Sequence, residues 1–164
     1  MAQAPQRMTL ADVDTGTGVP VQFNPNNPTL ELEAFYNRLK IPGAASEGLQ
    51  FSNTGNLKVA FELLYDGRAK GAPDLEAVQS LLFSFLLPPD SVQNTDTGAP
   101  PRMLFTWPKW ISIVSVMPKL KISPKRFDPD GRPDYLSIMV ELEAKRSSRL
   151  GSQTMRRSGL RSAA

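Results

Sequence analysis

The strongest constraint on this chain is a period-2 alternation on both sides of one turn cluster between residues 104 and 142. Leu136, Ile138, Val140 and Leu142 take one set of alternate positions; Tyr135, Ser137, Met139 and Glu141 take the other. Upstream, Trp110, Ser112, Val114 and Val116 alternate with Ile111, Ile113, Ser115 and Met117. Successive side chains of a strand point to opposite faces, so this spacing predicts two half-buried strands. Between them lies Phe127-Asp-Pro-Asp-Gly-Arg-Pro133, in which proline fixes φ and glycine accepts positive φ. The expectation is a strand–turn–strand unit with little helical character.

The rest of the chain supplies similar parts. Leu57, Val59, Phe61, Leu63 and Tyr65 form a second strong stripe, closed by Asp66-Gly67. Leu30, Leu32, Ala34 and Tyr36 alternate with Glu31, Glu33, Phe35 and Asn37, which predicts one strand with a partly wet face. Residues 19–23 and 119–123 read as two further short strands. The period changes at Leu75, Val78, Leu81, Leu82 and Phe85, whose spacing predicts one amphipathic helix over 74–87, with Asp74 as N-cap and Pro88-Pro89 as the stop. Residues 42–56 and 89–102, rich in Gly, Pro, Ser, Asn and Thr, read as two long loops. Six or seven strands and one helix predict a mainly β (α+β) domain. Its antiparallel strands would form a two-sheet barrel or sandwich with one flanking helix. The domain spans 19–144, between a flexible arm at 1–18 and a basic flexible tail at 145–164.

Composition removes most chemistry. The chain has no cysteine and no histidine, which excludes disulfides, a thiolate nucleophile, a histidine base and the usual zinc sites. No apolar run reaches the roughly 20 residues that span a bilayer, so the expectation is a soluble protein made in the cytoplasm, with no membrane partner. The carboxylates of Asp128, Asp130 and Asp134 lack the distal Glu and flanking helices of an EF-hand, and Pro133 argues for a structural turn. The pairs Glu31/Glu33 and Glu141/Glu143 fit solvated strand faces. Gly67 and Gly71 lack phosphate-loop spacing. Trp107 and Trp110 beside Lys109 suit a core or interface anchor better than a base-stacking platform. No catalytic, cofactor-binding or metal-binding residue is assigned, and the chain is read as a non-enzyme.

The net charge of +3 is unevenly spread. From 145 onward there are six basic and no acidic residues, leaving 13 basic against 16 acidic residues, or −3, for the body. Arg146, Arg149, Arg156, Arg157 and Arg161 are therefore the candidate binding residues, suited to an acidic surface on a neighbouring subunit. The alternative is a nucleic-acid-binding accessory protein whose tail neutralises phosphates in a salt-sensitive, sequence-blind way.

Four ordered motifs carry a family resemblance: Val21-Gln-Phe-Asn-Pro25, Lys58-Val-Ala-Phe-Glu-Leu-Leu-Tyr-Asp-Gly67, Leu104-Phe-Thr-Trp107 and Phe127-Asp-Pro-Asp-Gly-Arg-Pro133. Over about 19–144 their order and spacing resemble the N-terminal domain of contractile injection system tube proteins, including LysM-type tail and baseplate proteins. The resemblance implies a tail-tube fold assembled as a hexameric ring. Its implied place is the baseplate of a phage tail or related particle, between the inner tube and the spike or hub. The residues from 145 to 164 are too few for a LysM module, so peptidoglycan binding is not carried over. Pro108-Lys109-Trp110 replaces the glycine that commonly follows the tryptophan, so the local turn is expected to differ.

Overall fold

A computed structural model describes residues 6–88 and 98–144. They form two compact units: one holds residues up to Leu30 and from Lys58 to Ala144, the other residues 31–57. The first is built on a six-stranded sheet of order β1-β6-β7-β8-β5-β2. Its strands are β1 (Thr9–Asp12), β2 (Thr29–Glu31), β5 (Leu57–Asp66), β6 (Met103–Trp107), β7 (Ile111–Phe127) and β8 (Pro133–Ala144). The second holds a separate antiparallel pair, β3 (Ala34–Leu39) and β4 (Gly48–Thr54). The mainly β, antiparallel architecture with one helix is the expected one. The six-stranded sheet is open, ending at β1 and β2, and no closed barrel forms among the described residues.

The alternation places the core where the sequence put it. Val59, Phe61, Leu63 and Tyr65 of β5 and Leu136, Ile138, Val140 and Leu142 of β8 are buried. Phe61 stacks on Phe105 of β6 with ring centroids 5.2 Å apart. Each such fully buried large side chain contributes roughly 1.5–3 kcal/mol through burial. One core polar group has no counterpart: the Tyr65 hydroxyl is buried and has no hydrogen-bond partner among the described residues. Burial therefore pushes its pKa well up.

β7 fuses two expected strands into one of 17 residues. Its first part, Ile111 to Ser115, pairs with β6, and its second, Val116 to Phe127, pairs with β8. Two prolines are tolerated because the register shifts between Val116 and Lys119 and again between Pro124 and Arg126, and no β6 residue is registered with the second part. Near the hand-over the hydropathy is inverted. Ser115 is buried and donates from Oγ to the Met103 carbonyl at 3.3 Å, whereas Val114 and Val116 face outward.

The helix α1 (Leu75–Ser84) starts where expected, with the Asp74 side chain accepting from the Glu76 N–H at 3.1 Å. Leu75, Val78 and Leu82 are buried as it packs on β7 and β8. Three local expectations change. The segment read as an N-terminal arm contains β1, held to β6 from Thr9↔Thr106 to Asp12↔Met103. Residues 19–23 bury Val19 and Val21 without forming a strand, and Gly18 makes only an isolated bridge to Ala11. The strand expected through Leu30 to Asn37 breaks into β2 and β3.

Candidate assembly interface

Residues 42–56, expected as a loop, contain β4, so the second unit is a hairpin. Its connection is set by Pro42 and Gly43. The Ala44 N–H donates to the Ile41 carbonyl at 3.1 Å, and Gly43 sits at φ +84°. Proline followed by a positive-φ glycine is the sequence a type II turn requires. At the base the Gly55 N–H donates to the Glu33 carbonyl at 2.8 Å, and a bulge between Phe35 and Tyr36 resets the register.

Register partners share a face, so the hairpin has two different sides. One side carries Tyr36 opposite Phe51, then Arg38 opposite Leu49. The Tyr36 and Phe51 rings meet edge-on at 5.6 Å. Asn37 and Gln50 make the middle of the other side polar. Every β3 residue is exposed, and Tyr36, Leu49 and Phe51 remain more than half exposed. An isolated two-stranded hairpin is marginal in water, and a strand pair with an uncovered apolar side marks a contact surface. Arg38 and Glu47 pair across it at 3.5 Å, a solvated contact worth little by itself.

A second outward patch lies on the sheet. Leu104 of β6 is opposite Val114 of β7, and Val116 follows on the same side, opposite Glu143 of β8. All three apolar side chains are exposed.

The turn after β7 is structural. The Asp128 N–H donates to the Arg132 carbonyl at 2.9 Å, and Gly131 has φ +83°. Asp134 enters an ion-pair cluster: Arg126 reaches it through Nε and Nη2, both at 3.0 Å, and Arg68 through Nε at 2.5 Å. Arg126 Nη2 also donates to Asp66 at 2.7 Å. The hydrogen bond from Arg126 holds the Asp134 carboxyl below its ordinary pKa, against the opposing effect of burial. At Asp12 burial alone raises the pKa, but donors from Asp14 and Thr15 leave it lowered. Both carboxylates are thus engaged within the fold. No group of three or more metal-ligating residues occurs among the described residues.

Trp107 and Trp110 meet edge-on at 5.7 Å across the β6–β7 turn, with Trp110 about half exposed. Lys109 takes φ 62° at the turn position where glycine is favoured, so the turn carries local backbone strain. Glu141 pairs with Lys119 at 3.1 Å, consistent with a solvated strand face. Arg146, Arg149, Arg156, Arg157 and Arg161 lie outside the described residues, as does 89–97 of the second expected loop. No helix among the described residues is long and apolar enough to cross a membrane.

Sequence reading missed the two residues that complete the hairpin's apolar side, Leu49 and Phe51. Their signal was Leu-Gln-Phe-Ser, a short alternation hidden among Gly, Ala, Ser and Asn. A family model described as contractile injection system tube protein matches residues 5–151, most of the chain. No curated protein matches it.

Proposed function

The chain belongs to the contractile injection system tube protein family, and from that premise we propose that it forms a ring joining the inner tube to the spike or hub in the baseplate. The coarser part is a property of the family: a structural role in a multi-subunit tail tube. The observation that carries the finer reading is the uncovered apolar side of the β3–β4 hairpin, which suits a subunit completed by its neighbours. The ring is hexameric, as the four-motif resemblance implies. The role is non-enzymatic, and the carboxylates of the most polar cluster are spent on internal arginine pairs. Arg146, Arg149, Arg156, Arg157 and Arg161 bind an acidic surface of an adjoining tube, hub or baseplate subunit, through charge complementarity that sets register.

Quantitative mass spectrometry of particles purified from the source, scaled to the sheath protein, tests this. One ring's worth of copies per particle is expected. Copies approaching the sheath count would make the chain the main tube subunit. Absence from particles would overturn the assignment and favour a nucleic-acid-binding role for the tail. That role predicts binding that falls steeply with salt and is lost on deleting residues 145–164.

A further inference from the structure

We propose that the turn between β7 and β8 is a site of spontaneous backbone modification, at which Asp130 converts to isoaspartate, while the fold protects the chain's other Asp–Gly bond. The sequence holds two such bonds, Asp66-Gly67 and Asp130-Gly131, and no Asn-Gly. A glycine after aspartate leaves its backbone nitrogen open to the carboxyl group, because no Cβ shields it. That nitrogen attacks the aspartate Cγ and forms an N–Cγ bond; the carboxyl hydroxyl leaves with the nitrogen's hydrogen as water. Water then adds back to the cyclic imide. Opening at Cγ restores aspartate. Opening at the aspartate's main-chain carbonyl leaves the chain running through Cβ, with the carboxylate on Cα. The two steps lose one water and regain one, and no oxidant or reductant takes part.

The two bonds have opposite surroundings. A Cβ added at Gly67 would lie 3.1 Å from the Asp134 carbonyl oxygen and 3.4 Å from Leu75 Cδ1, so β8 and α1 hem in the backbone there. The Gly67 N–H donates to the Asp134 carbonyl at 2.8 Å. Asp66 Oδ1 accepts from Arg126 Nη2 at 2.7 Å and from the Arg68 N–H at 3.1 Å. Nucleophile and carboxyl are both held, and freeing them means breaking the ion-pair corner. Gly131 has nothing within 4 Å of the same point. Asp130 is exposed, and its carboxylate has no hydrogen bond or ion pair among the described residues. The Gly131 N–H does donate to the Asp128 carbonyl at 3.0 Å, but that bond closes within one turn whose residues 129–132 are exposed. Opening the turn alone releases the nitrogen. Isoaspartate adds a backbone carbon inside this turn, which makes it a substrate for a carboxyl methyltransferase that recognises isoaspartate. The damage falls at Phe127↔Pro133, the last pair of the β7–β8 ladder.

The test holds the full chain at neutral pH and body temperature for several weeks, once folded and once unfolded in urea. Isoaspartate is then located by peptide mapping with electron-transfer fragmentation and counted by enzymatic methylation. In the folded chain it is expected to accumulate several-fold faster at Asp130 than at Asp66. In urea both bonds should convert at comparable rates, so that the contrast belongs to the fold and not to the local sequence. Asp130→Glu, whose larger imide closes far more slowly, should stay folded by circular dichroism and lose most of the methylation signal. Conversion at Asp66 equal to or above that at Asp130 in the folded chain overturns the proposal. So does an Asp130 that stays intact in the folded chain, whatever the unfolded chain does, or a methylation signal that survives Asp130→Glu unchanged.

Discussion

In β8, Leu136, Ile138, Val140 and Leu142 are at most 1% exposed, whereas in β3–β4 Tyr36, Leu49 and Phe51 are 55%, 67% and 55% exposed. Both regions are antiparallel strands with an apolar row on one side. What differs is what covers that row. β8 sits inside a six-stranded sheet with α1 packed on it, while β3 and β4 have only each other as strand partners among the described residues. Alternation therefore says that a strand has an apolar side, and says nothing about which molecule will cover it.

The comparison predicts opposite responses to the same substitution. Phe61→Ala, in the covered row, should cost about 3–5 kcal/mol of unfolding free energy, measured by denaturant titration. A loss under about 1 kcal/mol would show that the sheet is not the self-sufficient half. The next effect sharpens the claim that the first unit is tied together internally. Asp134→Asn should lower Tm by several degrees at neutral pH, because it leaves Arg68 and Arg126 with a neutral partner. Asp134 has a folded pKa below its ordinary 3.8, so its contribution is present above that value and lost as pH falls toward the folded pKa. The gap between the two melting curves should accordingly close in acid. A gap that persists at low pH would mean that shape, not charge, holds this corner.

Tyr65→Phe probes the one imperfection in the covered row. Removing a hydroxyl without a partner should leave stability unchanged or raise it by about 1 kcal/mol, read as a shift in the denaturant midpoint. A loss of similar size would reveal a hydrogen bond that the structure does not show. The smallest effect is expected in the uncovered row. Phe51→Ala should change the unfolding free energy of the dilute monomer by under about 0.5 kcal/mol. A cost approaching that of Phe61→Ala would erase the distinction between the two regions.

How much the sequence disclosed follows the same division. The stripes of β5 and β8 and the Asp74 cap were legible because each runs long enough for its period to stand out, or has a local chemical cause. β4 was not, since two apolar residues among small polar ones resemble a loop until β3 is seen beside them. β1 was hidden because Thr9–Asp12 is held mainly by pairing with β6, some ninety residues away, which no local pattern reports. The fusion of two expected strands into β7 was obscured by Pro118 and Pro124, which usually end strands but here fall at or beside register shifts. The five tail arginines stood out by charge alone, and charge alone does not say where they go.

β7 has a mechanical consequence. Because its first part is laced to β6 and its second to β8, the two ladders share one covalent backbone. At roughly 3.3 Å per residue, an element of this length reaches up to about 55 Å. A load applied along it at the β6 end travels to the β8 end through peptide bonds, and each ladder meets that load in shear, with many hydrogen bonds resisting together. Unzipping them one at a time would require a pull across the strands instead. By that measure β7 is a beam running through the first unit rather than a hinge within it.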